Sequence, residues 1–310
     1  MPLTGPRGGV RVDLAKASSW ESVRRISDKY LPRWIRTLLD GFEKARAGTS
    51  IRALIRLLEG EEFDKVVDEI DWIHIDGPQA EGVRAALPIL IRDVLESAAV
   101  EAAGALGLRP QIAVVGAFDV VNPRVVDWVR LHSGELITEL DEVSRQAIRD
   151  LIARGVNDGI SPSSLGRMIR QSIGLHSKDV RAVMNMRNRM VADGRKPEMI
   201  EKAIERYRAK LLRRRAEMIA RTEIIQAETQ GQLELWRQQA EAGNIDANLA
   251  GVEWIVTPDD AKCDACSELD GVIVALGSSF PGGVTGSPLH PNCRCTVALV
   301  SEWRKPRLVA

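Results

Sequence analysis

All four cysteines of this 310-residue chain lie between positions 263 and 295, near its end. Cys263 and Cys266 are separated by two residues, and His290, Cys293 and Cys295 follow close together. A Cys-x-x-Cys turn aims two thiolates at one ion, while backbone amides donate hydrogen bonds to the sulfurs. Since a tail of about fifty residues builds little hydrophobic core, a bound metal would supply much of its folding free energy. The pattern therefore predicts a structural Zn²⁺ ion in the last part of the chain.

Spacing alone leaves the zinc ligand set open. Structural zinc takes four ligands in a tetrahedron, so one of the five candidates is spare. Two sets fit, in which Cys263, Cys266 and Cys293 are joined by either Cys295 or His290. Three other interpretations are weaker: thiols packed as small hydrophobic groups, disulfides, and a catalytic zinc. A reducing cytoplasm disfavours disulfides. No acid or base is tied to the cluster by spacing, which disfavours catalysis.

The rest of the chain has a helical pattern. Apolar residues recur mostly at three- and four-residue spacings in long stretches before Gly243, as on one face of a helix. After Gly243 the pattern changes to short β-like runs, "GVEWIVTP", "GVIVAL" and "CTVALV", separated by Gly, Pro and Asp. We therefore predict a mainly α fold with an elongated helical N-terminal region, long helices, and a small C-terminal α+β unit stapled by zinc.

The same patterns divide the chain into segments. We expect a flexible arm over 1–17, a helical N-terminal domain over 18–140, a second domain over 141–300, and a tail over 301–310. Within the second domain we expect a basic helical insertion at 178–216, a long helix at 217–243 and a zinc-stapled β unit at 251–300.

Charge is distributed unevenly along the chain. The whole chain is neutral, but the basic stretch from Lys178 to Arg221 has fourteen Lys and Arg against six Asp and Glu, a net charge of +8. Such a stretch is either a solvated helix pair or a phosphate-binding face with sequence-blind, salt-dependent affinity for double-stranded DNA. Tyr207 is its one aromatic residue, which argues against base stacking. The candidate DNA contacts are Arg206, Arg208, Lys210, Arg213, Arg214 and Arg215.

Two blocks, 219–236 and 252–300, carry a family resemblance. They contain Ala-Arg-Thr-Glu at 220–223, Trp254, aspartates before Cys-x-x-Cys, Leu-Asp-Gly at 269–271, and a closing His-Pro-x-Cys-Arg-Cys at 290–295. In this combination the chain resembles the phage Mu F-like head morphogenesis (minor capsid) family over roughly residues 140–300. The first 140 residues carry no such resemblance.

The resemblance implies a structural virion component and no enzymatic activity. Its expected partners are the phage portal protein and other capsid or scaffold proteins, with DNA as a further contact. Its expected location is the interior of the phage head near the portal vertex, after assembly in the host cytoplasm. We expect no membrane association, because no stretch approaches the roughly 18 uninterrupted apolar residues of a membrane span.

The Ala-Arg-Thr-Glu helix suggests an ion-pair latch onto the zinc unit. Arg221 can pair with Asp259, Asp260 or Asp270, while Glu223 caps or bridges to that unit. The two side chains point about 200° apart on a helix, so they cannot share one face. A catalytic role for this pair is the weaker interpretation.

Two other functions compete with a structural role. A metal-dependent nuclease of the histidine–asparagine–histidine type needs a second histidine shortly after Asn292, and none follows His290. A zinc-ribbon DNA-binding protein needs a basic zinc unit, yet residues 258–300 carry only Lys262 and Arg294 as cations.

Overall fold

The computed structural model describes residues 14–77, 82–106, 118–257 and 263–300, and within these ranges it confirms a mainly helical protein with a small C-terminal sheet. The helices before the sheet are α1 (Leu14–Gly48), α2 (Ile51–Glu59), α3 (Phe63–Asp68), α4 (Val83–Ala105), α5 (Pro123–Asn157), α6 (Pro162–Ser172), α7 (Ser177–Ala192) and α8 (Pro197–Glu241). They are followed by β1 (Gly251–Ile255), α9 (Asp264–Leu269), β2 (Ile273–Ala275) and β3 (Thr296–Val300).

Turn and cap residues set several of these boundaries. Proline opens α5, α6 and α8, where its missing N–H and fixed φ suit a first helical turn. Gly194, with φ +66°, supplies the left-handed residue between α7 and α8. The long helix expected from residue 217 therefore begins at Pro197, and the basic stretch consists of α7, this turn and the first half of α8.

The terminal segments of the chain are described only in part. Helix α1 begins at Leu14, inside the segment predicted as a flexible arm. Residues 1–13 and the predicted tail 301–310 lie outside the described residues. None of the helices in the described ranges combines the length and apolar character that a membrane span requires.

The three strands form one antiparallel sheet in the order β2-β1-β3. Strand β1 is central, and Val252 lies opposite Val274 on one side and Leu299 on the other. All five residues of β1 are buried, which is typical of a central strand covered on both faces. The strands predicted from the three apolar runs are therefore present.

The chain divides into two compact units, each built from separated segments. Unit 1 combines Met1–Leu31, Ile91–Val126 and Arg221–Ala310, and unit 2 combines Pro32–Leu90 and Asp127–Ala220. Helices α1, α4, α5 and α8 contribute residues to both units.

Unit 1 has its core around the sheet. Trp254 of β1 is fully buried and meets Phe280 edge to face, with ring centroids 5.3 Å apart. Alanines of α4 and Trp236 of α8 complete the cluster, which also includes Cys266, Cys293 and Cys295. The cysteine cluster thus lies at the margin of a hydrophobic core.

Unit 2 has a separate, purely helical core. Trp34, Leu38 and Phe42 of α1 are fully buried in it. Gly174 has φ +82°, and a Cβ there would lie 2.7 Å from the Phe42 ring. A side chain at this position would be both strained and in steric conflict with Phe42.

Candidate metal centre

Two loops bring the metal-ligand candidates together beside the sheet. Cys263 is the N-cap of α9, and its Sγ accepts a hydrogen bond from the Cys266 backbone amide at 3.3 Å. His290 and Cys293 lie on a tight turn in which the Cys293 amide donates to the His290 carbonyl at 3.0 Å. Asn292 adopts φ +61° in this turn, a conformation that asparagine tolerates better than most residues. Cys295 follows immediately before β3.

The side chains of the two loops meet at short distances. His290 Nε2 lies 3.1 Å from Cys263 Sγ and 3.2 Å from Cys266 Sγ. Cys266 Sγ lies 3.8 Å from Cys293 Sγ. In a tetrahedral zinc site with Zn–S of about 2.3 Å, two sulfurs are about 3.8 Å apart. The sulfur pair is already at this separation, and the histidine contacts are a few tenths of an ångström shorter than bound ligands need.

The five candidates form two overlapping triads. Ligand atoms of Cys263, Cys266 and His290 all lie within 4.8 Å of one another, as do those of Cys266, Cys293 and Cys295. Cys266 is common to both triads. The structure therefore brings every predicted ligand to one place, and the cluster could hold a metal ion.

The ring orientation of His290 favours metal binding. Its Nδ1 is 2.9 Å from the Pro291 carbonyl oxygen, to which it can donate. This hydrogen bond raises the pKa of His290. With the proton fixed on Nδ1, the lone pair of Nε2 points toward the two thiols, the arrangement in which metal-bound histidines are usually oriented by a backbone carbonyl.

The four thiols cannot all ionise without a cation. The hydrogen bond from the Cys266 backbone amide lowers the pKa of Cys263, and the hydrogen bond from the Cys295 thiol lowers that of Cys293 to about 5. Burial raises the pKa of Cys266 to about 12, and the hydrogen bond to Cys293 raises that of Cys295. Low and high values therefore alternate along the cluster. A divalent cation would remove this conflict by stabilising several thiolates at once.

Helix α8 contacts the loop of His290 through hydroxyl groups. Thr222 Oγ1 accepts a hydrogen bond from the Asn292 amide at 3.1 Å. Two turns further on, the Thr229 and Ser287 hydroxyls are 2.7 Å apart and buried. A Cβ at Gly286 would lie 2.6 Å from Thr229 Cγ2, so glycine permits this close approach. No sequence pattern predicts the contacts of Thr229 and Ser287, whereas Thr222 is the third residue of the Ala-Arg-Thr-Glu motif and could have been found there.

The residues of the predicted ion-pair latch differ from one another in exposure and in hydrogen-bond partners. Arg221 is exposed, and the Asp270 carboxylate accepts a hydrogen bond from the Val256 amide at 3.1 Å. Glu223 is buried, with 7% of its surface exposed, and Asp259 and Asp260 lie outside the described residues. The latch therefore stays a prediction.

Two of the six candidate DNA contacts are interior groups of unit 2, which corrects the sequence-based assignment. Arg208 is 1% exposed and donates to the Gln171 carbonyl at 2.7 Å and to Glu43 at 2.8 Å. Arg215 is 6% exposed and donates to the Gly174 carbonyl at 2.6 Å. Seven residues are close to two helical turns, so both point to the same inward face of α8. Neither guanidinium is available to a phosphate in this fold.

The other four candidates remain on the surface. Arg206, Lys210, Arg213 and Arg214 are exposed, and Arg213 pairs with Glu217 at 3.2 Å. Spacings of three and four residues place them along one side of α8. In the described part of α8, two of the six candidate cations, Arg208 and Arg215, therefore lie on the buried face, and the other four form an exposed row.

The comparisons with known proteins bear on the C-terminal half. The model of the family described as "Phage Mu protein F like protein" matches residues 146–298, from within α5 to within β3. No curated protein and no solved structure matches the chain. The matched segment contains α8, β1, β2, the first part of β3 and all five candidate ligands. The resemblance to the phage Mu F-like family that the motifs predict is therefore confirmed over residues 146–298.

Proposed function

We propose that the protein is a structural minor capsid protein of a tailed phage, whose tail is held in shape by one zinc ion. The family match supports a role in head morphogenesis, and the convergence of two loops at Cys266 carries the zinc assignment. The role is that of a building element and requires no turnover.

The ligands that fit best are Cys263, Cys266, His290 and Cys293. The short distances of His290 Nε2 from two thiols favour the histidine as the fourth ligand, with Cys295 as the spare group. Zinc there would join the start of α9 to the turn before β3. Because the surrounding unit is small, the ion would contribute on the order of 10 kcal/mol to its folding.

The staple has a consequence for assembly. With the loop of His290 tied both to the ion and to Thr222 of α8, the C-terminal unit presents a rigid surface. Proteins of the resembled family join the phage prohead, so this surface is suited to the portal protein, other capsid proteins or the scaffold. The expected location is inside the head near the portal vertex, reached during assembly in the host cytoplasm.

Contact with packaged DNA is a further part of the proposal. It rests on the exposed row Arg206, Lys210, Arg213 and Arg214, without the two buried arginines. Replacing Arg206 and Lys210 by Glu should weaken binding to any duplex and reduce its salt dependence by about two ion equivalents. Arg154→Glu, at an exposed arginine of α5, is the control. Equal binding by all three proteins would remove DNA from the proposal.

Metal content tests the zinc assignment. Full-length protein from a reducing cell is expected to contain one zinc per chain, and Cys266→Ser should lose it because Cys266 belongs to both triads. Cys295→Ser is the matched control and should keep the metal if Cys295 is spare. Wild-type protein free of metal, or a chelator-insensitive melting temperature, would overturn the staple.

Particle assembly tests the role. In a phage that carries the variant chain, Cys266→Ser should yield incomplete heads, whereas Cys295→Ser should yield infectious ones. Normal infectious heads from Cys266→Ser would contradict a zinc-dependent assembly function even if the purified protein binds zinc.

A further inference from the structure

A carboxyl group in unit 1 is buried without a partner. Glu228 of α8 is 1% exposed, and neither of its carboxylate oxygens has a hydrogen-bond partner among the described residues. One turn further along the helix, Gln232 is 4% exposed, and its Oε1 is also without a partner there. Three acceptor oxygens thus lie on one inward side of α8. Ionised carboxylates are rarely buried in this way unless a cation or several donors accompany them.

Helix α4 approaches α8 so closely at Gly231 that a side chain there would clash with its backbone. A Cβ at Gly231 would lie 2.3 Å from the Leu95 carbonyl oxygen, so α8 and α4 are in direct backbone contact beside Glu228. The adjoining face of α4 has small, fully buried residues, Ala98 and Ala99. Rearrangement at this crossing is restricted because the helix backbones already touch.

The charged groups that act on Glu228 come from α1 and α4. Glu101 of α4 repels it, and Arg25 of α1 attracts it, but Arg25 already donates to Glu101 at 2.9 Å. Ser22 of α1 also donates to Glu101. Burial and the charge of Glu101 raise the pKa of Glu228 well above its ordinary value, and the attraction of Arg25 opposes them. An ionised Glu228 would compete with Glu101 for the same guanidinium.

We propose that Glu228 is a proton-dependent lock on the first part of α1, residues 21–31. The protonated carboxyl permits α1 and α4 to pack in unit 1. When the proton leaves to solvent, the buried charge is repelled by Glu101 and lacks hydration, because Arg25 already pairs with Glu101, and the segment separates so that water reaches the carboxylate. This inference is independent of zinc and of the head-assembly role.

Apart from the buried side chains of Val23 and Ile26, the segment is held by polar, partly exposed contacts, which suits it to such a release. Besides Arg25, Lys29 donates to Ser97 at 3.3 Å, and the Tyr30 and Ser97 hydroxyls are 2.6 Å apart. The direction follows from linkage. Because the folded pKa is raised, the stability is fully present below the ordinary value near 4.5 and is lost as pH rises through the folded pKa.

Hydrogen exchange of the full chain tests this lock. Exchange of residues 21–31, corrected for the intrinsic chemical rate, should be followed from about pH 5 to pH 9. For the wild type, the opening constant should rise about tenfold per pH unit within the window set by the two pKa values. Glu228→Gln keeps the shape of the side chain without the titrating proton, and its opening constant should not change with pH.

Glu234→Gln is the matched control. Glu234 is also on α8 and fully buried, but its carboxylate pairs with Arg124 at 2.8 Å. This variant should keep the wild-type pH slope in residues 21–31. A wild-type opening constant independent of pH, or an unchanged slope in Glu228→Gln, would refute the lock.

A second measurement uses the wild-type protein, so that the test does not depend on whether Glu228→Gln folds. The infrared band of a protonated carboxylic acid should be present in wild-type protein at neutral pH and should disappear in alkali together with the protection of α1. Absence of the band at neutral pH would show that Glu228 is ionised in the folded state and would overturn the proposal.

Discussion

The two units differ in the charged side chains that they bury. Within the described ranges, unit 1 buries four glutamates, whereas unit 2 buries two arginines and one aspartate, Asp141, which pairs with Arg145 at 2.6 Å. The glutamates are Glu223, Glu228, Glu234 and Glu253, and the arginines are Arg208 and Arg215. Most of these residues lie on the single helix α8. The arginines donate to carbonyl and carboxylate oxygens, whereas Glu228 meets no donor in the part of the chain that the structure describes. A buried arginine therefore holds unit 2 together, while the buried acid makes unit 1 sensitive to its protonation.

Removing a buried arginine should have the largest effect. Arg215→Met leaves the Gly174 carbonyl and Ser144 hydroxyl without their donor and loses the contact with the Phe42 ring. We expect a loss of about 3 kcal/mol in the free energy of unfolding, measured by urea denaturation. Arg214→Met removes an exposed cation next to it and should change this free energy by less than about 0.5 kcal/mol. Similar losses in both would show that burial of Arg215 is not structural.

The next largest effects are expected from alanine at two helical glycines, which should lower the stability of unit 1 and raise that of unit 2. Gly231→Ala in unit 1 puts a Cβ 2.3 Å from the Leu95 carbonyl oxygen and should cost about 2 kcal/mol or more. Gly134→Ala in unit 2 adds a Cβ with nothing within 4 Å and should stabilise α5 by about 0.5–1 kcal/mol. Thermal melting of both variants measures the difference. A neutral Gly231→Ala would mean that the α4–α8 crossing is looser than described.

Low pH should destabilise part of unit 2, whereas high pH should destabilise part of unit 1. The hydrogen bond from Arg187 lowers the pKa of Glu201, so this pair stabilises α7 against α8 above the ordinary pKa near 4.5, and the stabilisation is lost as pH falls through the folded pKa. Because the Glu201 side chain is 43% exposed, we expect less than about 1 kcal/mol. Hydrogen exchange of residues 187–201 in acid should show the loss in the wild type and not in Glu201→Gln. A rise in protection on acidification would contradict the assigned sign.

The smallest effect is expected at the loop of His290. Thr222→Val removes the acceptor of the Asn292 amide while keeping the shape of the side chain. Since water can reach this amide, the cost should be about 0.5–1 kcal/mol. Arg221→Met is the control, because Arg221 is exposed. A larger effect from Arg221→Met than from Thr222→Val would favour the ion-pair latch over the hydroxyl contact.

Prediction from the sequence worked where a local pattern has one physical meaning. Helical spacing identified the mainly helical chain, and β-branched runs between glycines identified the strands. At the start of α8 two patterns compete, because the charge from Pro197 to Arg221 predicts a separate basic insertion while the continuous helical spacing predicts one helix, and the structure has one helix. Charge alone likewise predicts that Arg208 and Arg215 are exposed with the other cations, whereas both are buried.

The sequence by itself determined the family resemblance of residues 146–298, the helical composition and the five residues that converge on one possible ion, because motif spacing and periodicity are local properties of the chain. The tertiary structure decided which groups are buried, that Thr222 and Thr229 contact the loop of His290, and that His290 Nε2 faces two thiols. It also placed Glu228 beside Glu101 and Arg25, more than a hundred residues away in the chain. Such pairings depend on which helix faces meet, and no local pattern specifies that.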